Sequence, residues 1–291
     1  MKAEIITSFG RQYILQIAGK CYAAVTKGKK SEFVVGDIVN AAIINNEQAQ
    51  IIDIATRNNL VYREDENKSK LIASNVDQII IVISVTPNFN QSMLDNCLVF
   101  AEYAEIKPII LINKSDLVES AVFIQNITKL YASCLGYTVL AISAYAERIP
   151  ELEALIANKS SLFIGQSGVG KSTITNTLHP IANNKVQELT RSLNSGKHTT
   201  THATLYYVND TSKIIDCPGM QDFGLNYVES SNLAHYFPEM RKLLGKCKFS
   251  NCLHHNEPQC NIKSHLNTDI DMSRYNYYLR VLAKLSRSKN Y

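Results

Sequence analysis

The chain has 291 residues, 45% of them hydrophobic and 19% charged, with a formal net charge of +4. At roughly 100–200 residues per domain this length holds two or three domains, and the composition excludes a disordered chain. The longest apolar run, Gln78–Val85, falls far short of the about 20 residues that cross a bilayer, so no membrane partner is expected.

Met1–Ile5 carries no apolar stretch behind a basic start, and the expectation is a soluble, cytoplasmic monomer. That compartment keeps thiols reduced, so the seven cysteines are read by spacing rather than as disulfides.

Residues 1–66 alternate β-rich segments (Tyr13–Ile17, Cys21–Val25, Ile38–Ile44, Gln50–Ile54) with turns such as Gly36-Asp37 and Asn45-Asn46. Five strands in about 60 residues predict an OB-type β-barrel, which serves either as an RNA binder or as a plain folding module. The polar stretch Glu64–Lys70 marks a boundary. Over 67–230, apolar runs at Ile79–Val85, Ile109–Ile112, Thr138–Ile142, Leu162–Ile164 and Lys213–Ile215 alternate with helical periodicity at Met93–Tyr103 and Ala121–Leu135. That pattern predicts a parallel α/β sheet with crossover helices. Residues 231–291 hold a cysteine cluster and a basic tail, in which Met272–Leu285 reads as an amphipathic helix with Tyr278, Leu282 and Leu285 on one side.

Gly165-Gln166-Ser167-Gly168-Val169-Gly170-Lys171-Ser172, followed by Thr173, fits G-x-x-x-x-G-K-[ST] between a strand and a helix. Its glycines let successive N–H groups turn toward phosphate oxygens, and the helix N-terminus adds positive potential. Lys171 is placed to reach the β- and γ-phosphates and Ser172 to bind Mg²⁺. Asn113-Lys114-Ser115-Asp116 follows directly on a strand, where open α/β sheets bind ligands. A carboxylate there accepts from guanine N1–H and the exocyclic amine, whereas adenine leaves it unpaired. Asn113 shapes that loop and touches the base, the Lys114 stem lies over the ring, and Ser143-Ala144 offers backbone contacts. Asp216-Cys-Pro-Gly219 fits D-x-x-G, with Asp216 on the Mg²⁺ shell and the Gly219 N–H sensing the γ-phosphate. Between these motifs, Gly196–Thr201 resembles a switch segment. Thr200 is the candidate second Mg²⁺ ligand, with Thr199 and Thr201 beside it. The expected ligands are therefore GTP or GDP with Mg²⁺.

Hydrolysis needs a group to orient water. The residue after Gly219 is Met220, which cannot do so; His198 is the nearest candidate, with Gln221 an alternative. Cys247, Cys252 and Cys260, with His254 or the adjacent His255, offer four donors within a short span. Such a set fits one closed, structural Zn²⁺ and supplies folding energy to a small domain. The tail carries Lys263, Arg274, Arg280, Lys284, Arg287 and Lys289, either a solvated face or a grip for RNA phosphates.

The motif order is rotated: N-K-x-D and S-A precede the phosphate loop. With Arg57–Leu60, Arg63 and Asn75-Val-Asp77, the set resembles the circularly permuted, ribosome small-subunit-dependent GTPase A family (RsgA, YjeQ/YloQ). The resemblance implies an N-terminal OB-type barrel, a central α/β permuted P-loop GTPase and a C-terminal α-helical zinc-binding domain. The family's C-x-H spacing selects His254 as the fourth ligand. The resemblance further implies GTP hydrolysis stimulated by the 30S subunit, contact with 16S rRNA and a role in late maturation of that subunit. The competing expectations are a permuted GTPase with another RNA or protein partner, and a zinc-stabilised RNA-binding module with a non-catalytic nucleotide site.

Overall fold

In the computed structural model, residues 1–9, 12–26, 33–65, 68–178, 203–217 and 223–288 are described. Alternating apolar side chains close the first five strands on one another. These are β1 (Lys2–Phe9), β2 (Gln12–Ile17), β3 (Lys20–Thr26), β4 (Ile38–Ile43) and β5 (Gln48–Ile54). They run in the order β1-β2-β3-β5-β4, and β4 returns to β1; only β3–β5 is parallel. Ile5, Tyr13, Leu15, Val39, Ala41 and Ile51 fill the interior of this closed barrel, in accord with the OB-type expectation.

Strand β1 is absent from the segments named from sequence, and its surroundings explain why. Ala3 and Ile5 point into the barrel, but Glu4 and Ile6 on the opposite face are buried as well. Glu4 accepts from Lys213 Nζ at 2.7 and 2.8 Å and from the Tyr207 hydroxyl, so a charged residue occupies a covered face. Covering both faces removes the alternation that identifies a half-buried strand.

β6 (Leu60–Asp65) and β7 (Lys68–Ser74) form an antiparallel hairpin. Glu64 and Asp65 on one strand, and Lys68, Ser69 and Lys70 on the other, lie at the far ends of this pair. At the hairpin's base the barrel is bolted to the chain that enters the central sheet. Buried Asp37 accepts from the Val34 N–H at 2.8 Å, from Arg57 Nε and Nη2 at 2.7 and 2.8 Å, and from Ser74 Oγ at 2.6 Å. Asn59 holds both backbone groups of Val76, and Asn75 Nδ2 donates to the Gly36 carbonyl. The Gly36-Asp37, Arg57–Leu60 and Asn75 motifs are thus a structural joint, with the carboxylate's charge met by a bidentate guanidinium.

The central sheet runs β10 (Thr138–Ala141), β9 (Lys107–Ile112), β8 (Gln78–Ile83), β11 (Ser160–Ile164), β13 (Lys213–Asp216), β12 (Thr204–Tyr207), with only β12 antiparallel. Ile79, Ile81 and Ile83 face one core layer, which holds α1 (Gln91–Tyr103). Ile80 and Val82 face the other, against α3 (Pro150–Ile156) and α4 (Lys171–Leu178). The segment expected as one helix over Ala121–Leu135 is α2 (Ser120–Ile127), continuing as a π-helical stretch Thr128–Cys134. Tyr131 in that stretch is buried, and its hydroxyl reaches Asp95 Oδ1 at 2.8 Å.

The C-terminal part comprises a 3₁₀ turn (Leu233–Tyr236), α5 (Pro238–Arg241), α6 (Asn261–Ser264) and α7 (Met272–Ser288). Tyr278, Leu282 and Leu285 are buried, as the amphipathic reading requires. Arg274 corrects the basic-tail reading. It is fully buried, lies over the Phe237 ring, and donates to Asp95 Oδ1 and Glu239 Oε1 at 2.8 Å each. Burial disfavours its charge, but Glu239 and Asp95 outweigh that and hold its pKa well above the ordinary value. Gln91 to Ser273 (2.7 Å) and Arg280 to Ser92 (2.9 Å) complete the seam between α1 and α7. Arg274→Met leaves two buried carboxylates uncompensated and should cost about 3–5 kcal/mol, read as a lowered urea midpoint.

Candidate functional site

The phosphate loop leaves β11 at Ile164 and enters α4 at Lys171. Gly165 (φ 149°) and Gly170 (φ 96°) are required there: a Cβ on the first would strike the Val82 carbonyl oxygen, and on the second the Asn113 amide nitrogen. Lys171 is buried, and its Nζ donates to the Gly165 and Gln166 carbonyls at 2.5 and 2.9 Å. Burial lowers its pKa, and Asp216 opposes that shift.

Asp216 ends β13, the parallel neighbour of β11, in register with Phe163. Burial raises its pKa and Lys171 draws it down. Its Oδ1 is buried with no hydrogen-bond partner among the described residues. An orphaned carboxylate oxygen beside a phosphate loop suits the water shell of a divalent cation, so the donor set fits Mg²⁺ together with exposed Ser172.

Asn113 is the residue that joins the motifs. It is 2% exposed at the end of β9. Its Nδ2 donates to the Val169 carbonyl at 2.8 Å, inside the phosphate loop, and its Oδ1 accepts from the Ala144 N–H at 3.0 Å. One carboxamide therefore fastens N-K-x-D to both the phosphate loop and Ser143-Ala144. Lys114, at φ 62°, adds a second link through its Nζ, which donates to the Thr86 and Gly168 carbonyls at 2.8 Å each. Ser115 N–H donates to the Ile142 carbonyl at 3.0 Å, and Asp116 stands exposed at the rim. Sequence reasoning missed Thr177, whose Oγ1 donates to the Ala144 carbonyl at 3.1 Å from α4. No motif signals it, because the contact exists only once α4 lies against the S-A loop. His198, Thr199, Thr200, Thr201, Gly219, Met220 and Gln221 lie outside the described residues.

The ligand atoms of Cys247, Cys252, His254 and Cys260 lie within 4.8 Å of one another. Left-handed φ angles at His254 (59°) and Gln259 (55°) turn the chain back on itself to bring them together. His254 Nδ1 is 3.5 Å from the sulfurs of Cys247 and Cys260, which are 3.9 Å apart. A tetrahedral Zn²⁺ with Zn–S of about 2.3 Å and Zn–N of about 2.0–2.1 Å requires S···N near ~3.5 Å and S···S near ~3.8 Å. The geometry fits, and the chemistry agrees. Burial and the neighbouring thiols push the Cys252 pKa up, and a backbone hydrogen bond at His254 opposes that shift; three thiols and one imidazole are the donor types of a closed Zn²⁺ site. The Tyr275 and Tyr278 hydroxyls donate to the His254 and Leu253 carbonyls at 2.8 and 2.7 Å, which fixes the cluster on α7.

Phosphate loop, N-K-x-D loop and S-A loop converge on the carboxyl ends of one sheet, in an order rotated along the chain. This defines a circularly permuted P-loop GTPase. Residues 54–226 match the RsgA GTPase family model. A small ribosomal subunit biogenesis GTPase RsgA from Neisseria gonorrhoeae is 41% identical over 263 residues, covering 90% of this chain and 85% of the relative. The protein of that name from Nitrosospira multiformis is 38% identical over 291 residues, covering 99% and 92%. The crystal structure of YjeQ from Thermotoga maritima superposes with a TM-score of 0.74 at 26% identity, covering 98% of each chain. YloQ, a circularly permuted GTPase, gives 0.73 at 26%, covering 99% of this chain and 95% of that one. The chain belongs to the RsgA GTPase family.

Purified protein should carry about one zinc per chain by atomic emission, and Cys260→Ser should lose it together with thermal stability.

Proposed function

We propose that this chain hydrolyses GTP in the biogenesis of the small ribosomal subunit. The observation that carries the reading is the Asn113 carboxamide, which gathers phosphate loop, N-K-x-D and S-A into one site. The backbone of Gly165–Thr173 cradles the phosphates and Lys171 neutralises their charge. Asp116 reads guanine, while Asn113, Lys114, Ser115, Ser143 and Ala144 shape the base pocket. Ser172 and Thr200 would hold Mg²⁺, with Asp216 behind its water shell and the Gly219 N–H toward the γ-phosphate. When bound there, the ion would supply positive charge against the phosphate oxygens. His198 positions the attacking water by accepting its proton or hydrogen bond. With Met220 after the D-x-x-G glycine, intrinsic turnover is slow and waits on a partner to order the site.

The relatives' names, and coverage of nearly their whole length, support the small subunit as that partner. The barrel (1–66) and the zinc-binding part (231–291) flank the GTPase unit (67–230), and contact with 16S rRNA falls to them. The exposed tail cations, rather than Arg274, would meet its phosphates. The chain acts as a monomer in the cytoplasm; no helix among the described residues is long and apolar enough to cross a membrane.

Steady-state hydrolysis of GTP, with ATP as control, tests the proposal in the presence and absence of purified 30S or 50S subunits. The 30S subunit alone should raise turnover by at least about tenfold, and Lys171→Ala should abolish it. Turnover indifferent to 30S, or raised equally by 50S, would overturn the assignment of the partner.

A further inference from the structure

Asn96 lies on α1, belongs to none of the nucleotide motifs, and is 9% exposed. Its side-chain amide captures both backbone groups of one residue. Oδ1 accepts from the Phe223 N–H at 2.8 Å, and Nδ2 donates to the Phe223 carbonyl at 3.2 Å. Phe223 stands four positions beyond Gly219, where the chain emerges from the D-x-x-G motif. One turn along the same helix face, the Phe100 ring stacks on the Phe223 ring with centroids 4.0 Å apart and planes 6° apart. Leu225 and Val228, just downstream, are buried in the same core layer.

The other end of that motif is equally fixed. Asp216 is paired with Phe163 of β11 on one side and Thr204 of β12 on the other. A segment that senses a γ-phosphate must start and finish at defined points. The sheet supplies the first, and α1 supplies the second.

Asp95, adjacent to Asn96, is the residue that grips Arg274 of α7. Two consecutive residues of one helix therefore hold the exit of D-x-x-G and the C-terminal helix in a single rigid element.

We propose that Asn96 is a positioning residue for GTP hydrolysis, which sets where the chain leaves D-x-x-G and ties that point to the zinc-binding part through Asp95. The inference rests on reading Asp216–Gly219 as the γ-phosphate-sensing segment. Because GDP lacks the γ-phosphate, its binding does not draw on this clamp, and that separates positioning from general stability.

The test compares wild type, Asn96→Ala and Asn96→Asp in titrations with fluorescent GDP and a fluorescent non-hydrolysable GTP analogue, alongside kcat and melting temperature. Asn96→Asp preserves size and the acceptor but sets a carboxylate oxygen against the Phe223 carbonyl, so it probes the hydrogen bond without opening a cavity. GDP affinity should stay within about twofold, whereas analogue affinity and kcat should each fall about tenfold, the worth of losing one to two buried hydrogen bonds. Unchanged analogue affinity in folded Asn96→Asp would overturn the inference, and so would an equal loss for both nucleotides. If Lys171→Ala hydrolyses GTP as fast as wild type, the site assignment itself falls and takes this inference with it.

Discussion

The side-chain amide of Asn113 is the contact on which the nucleotide site depends. A P-loop, an N-K-x-D tetrapeptide and a Ser-Ala dipeptide are only three turns until something holds them at fixed separations. Asn113 does this with both ends of one planar group, donating into the phosphate loop and accepting from the Ser143-Ala144 loop. Because the amide is buried, its loss strands the Val169 carbonyl and the Ala144 N–H, which costs more than the two bonds' net worth. Gly170 is glycine for the same reason, since the amide occupies the space a Cβ would need.

Once three loops meet at the carboxyl ends of a sheet, their order along the chain no longer matters to the chemistry. It matters to the mechanics. Rotation places the exit of D-x-x-G directly before the C-terminal part, and helix α1 receives both. Its Asp95 closes a fully buried pair with Arg274, and Gln91 and Ser92 extend the seam. The part that holds the Cys/His cluster is therefore carried on α1, packed through Asp95, Gln91 and Ser92.

Much of this was legible in the sequence because the signals are local. β8, β9 and β11 are strands with both faces covered, so their runs of Ile, Leu and Val stand out and their bounds fall within a few residues of expectation. The nucleotide motifs and the Cys/His cluster are short patterns whose residue types have few other uses together. What the sequence hid was long-range. β1 lost its alternation because Glu4 is matched by Lys213, 209 positions away. Arg274 read as one more cation on a basic tail because its partner Asp95 lies 179 positions upstream. Asn113 was expected to shape its loop, but its grip on Val169, 56 residues away, needed the fold.

The most direct measurement is the affinity of Asn113→Ala for GDP against that of the wild type, at a temperature well below the melting transition of either. If this amide assembles the site, affinity falls by at least about tenfold while the protein stays folded. Wild-type affinity in the folded variant would mean that the three loops find their places without it, and the account of how this permuted site is held together would be wrong.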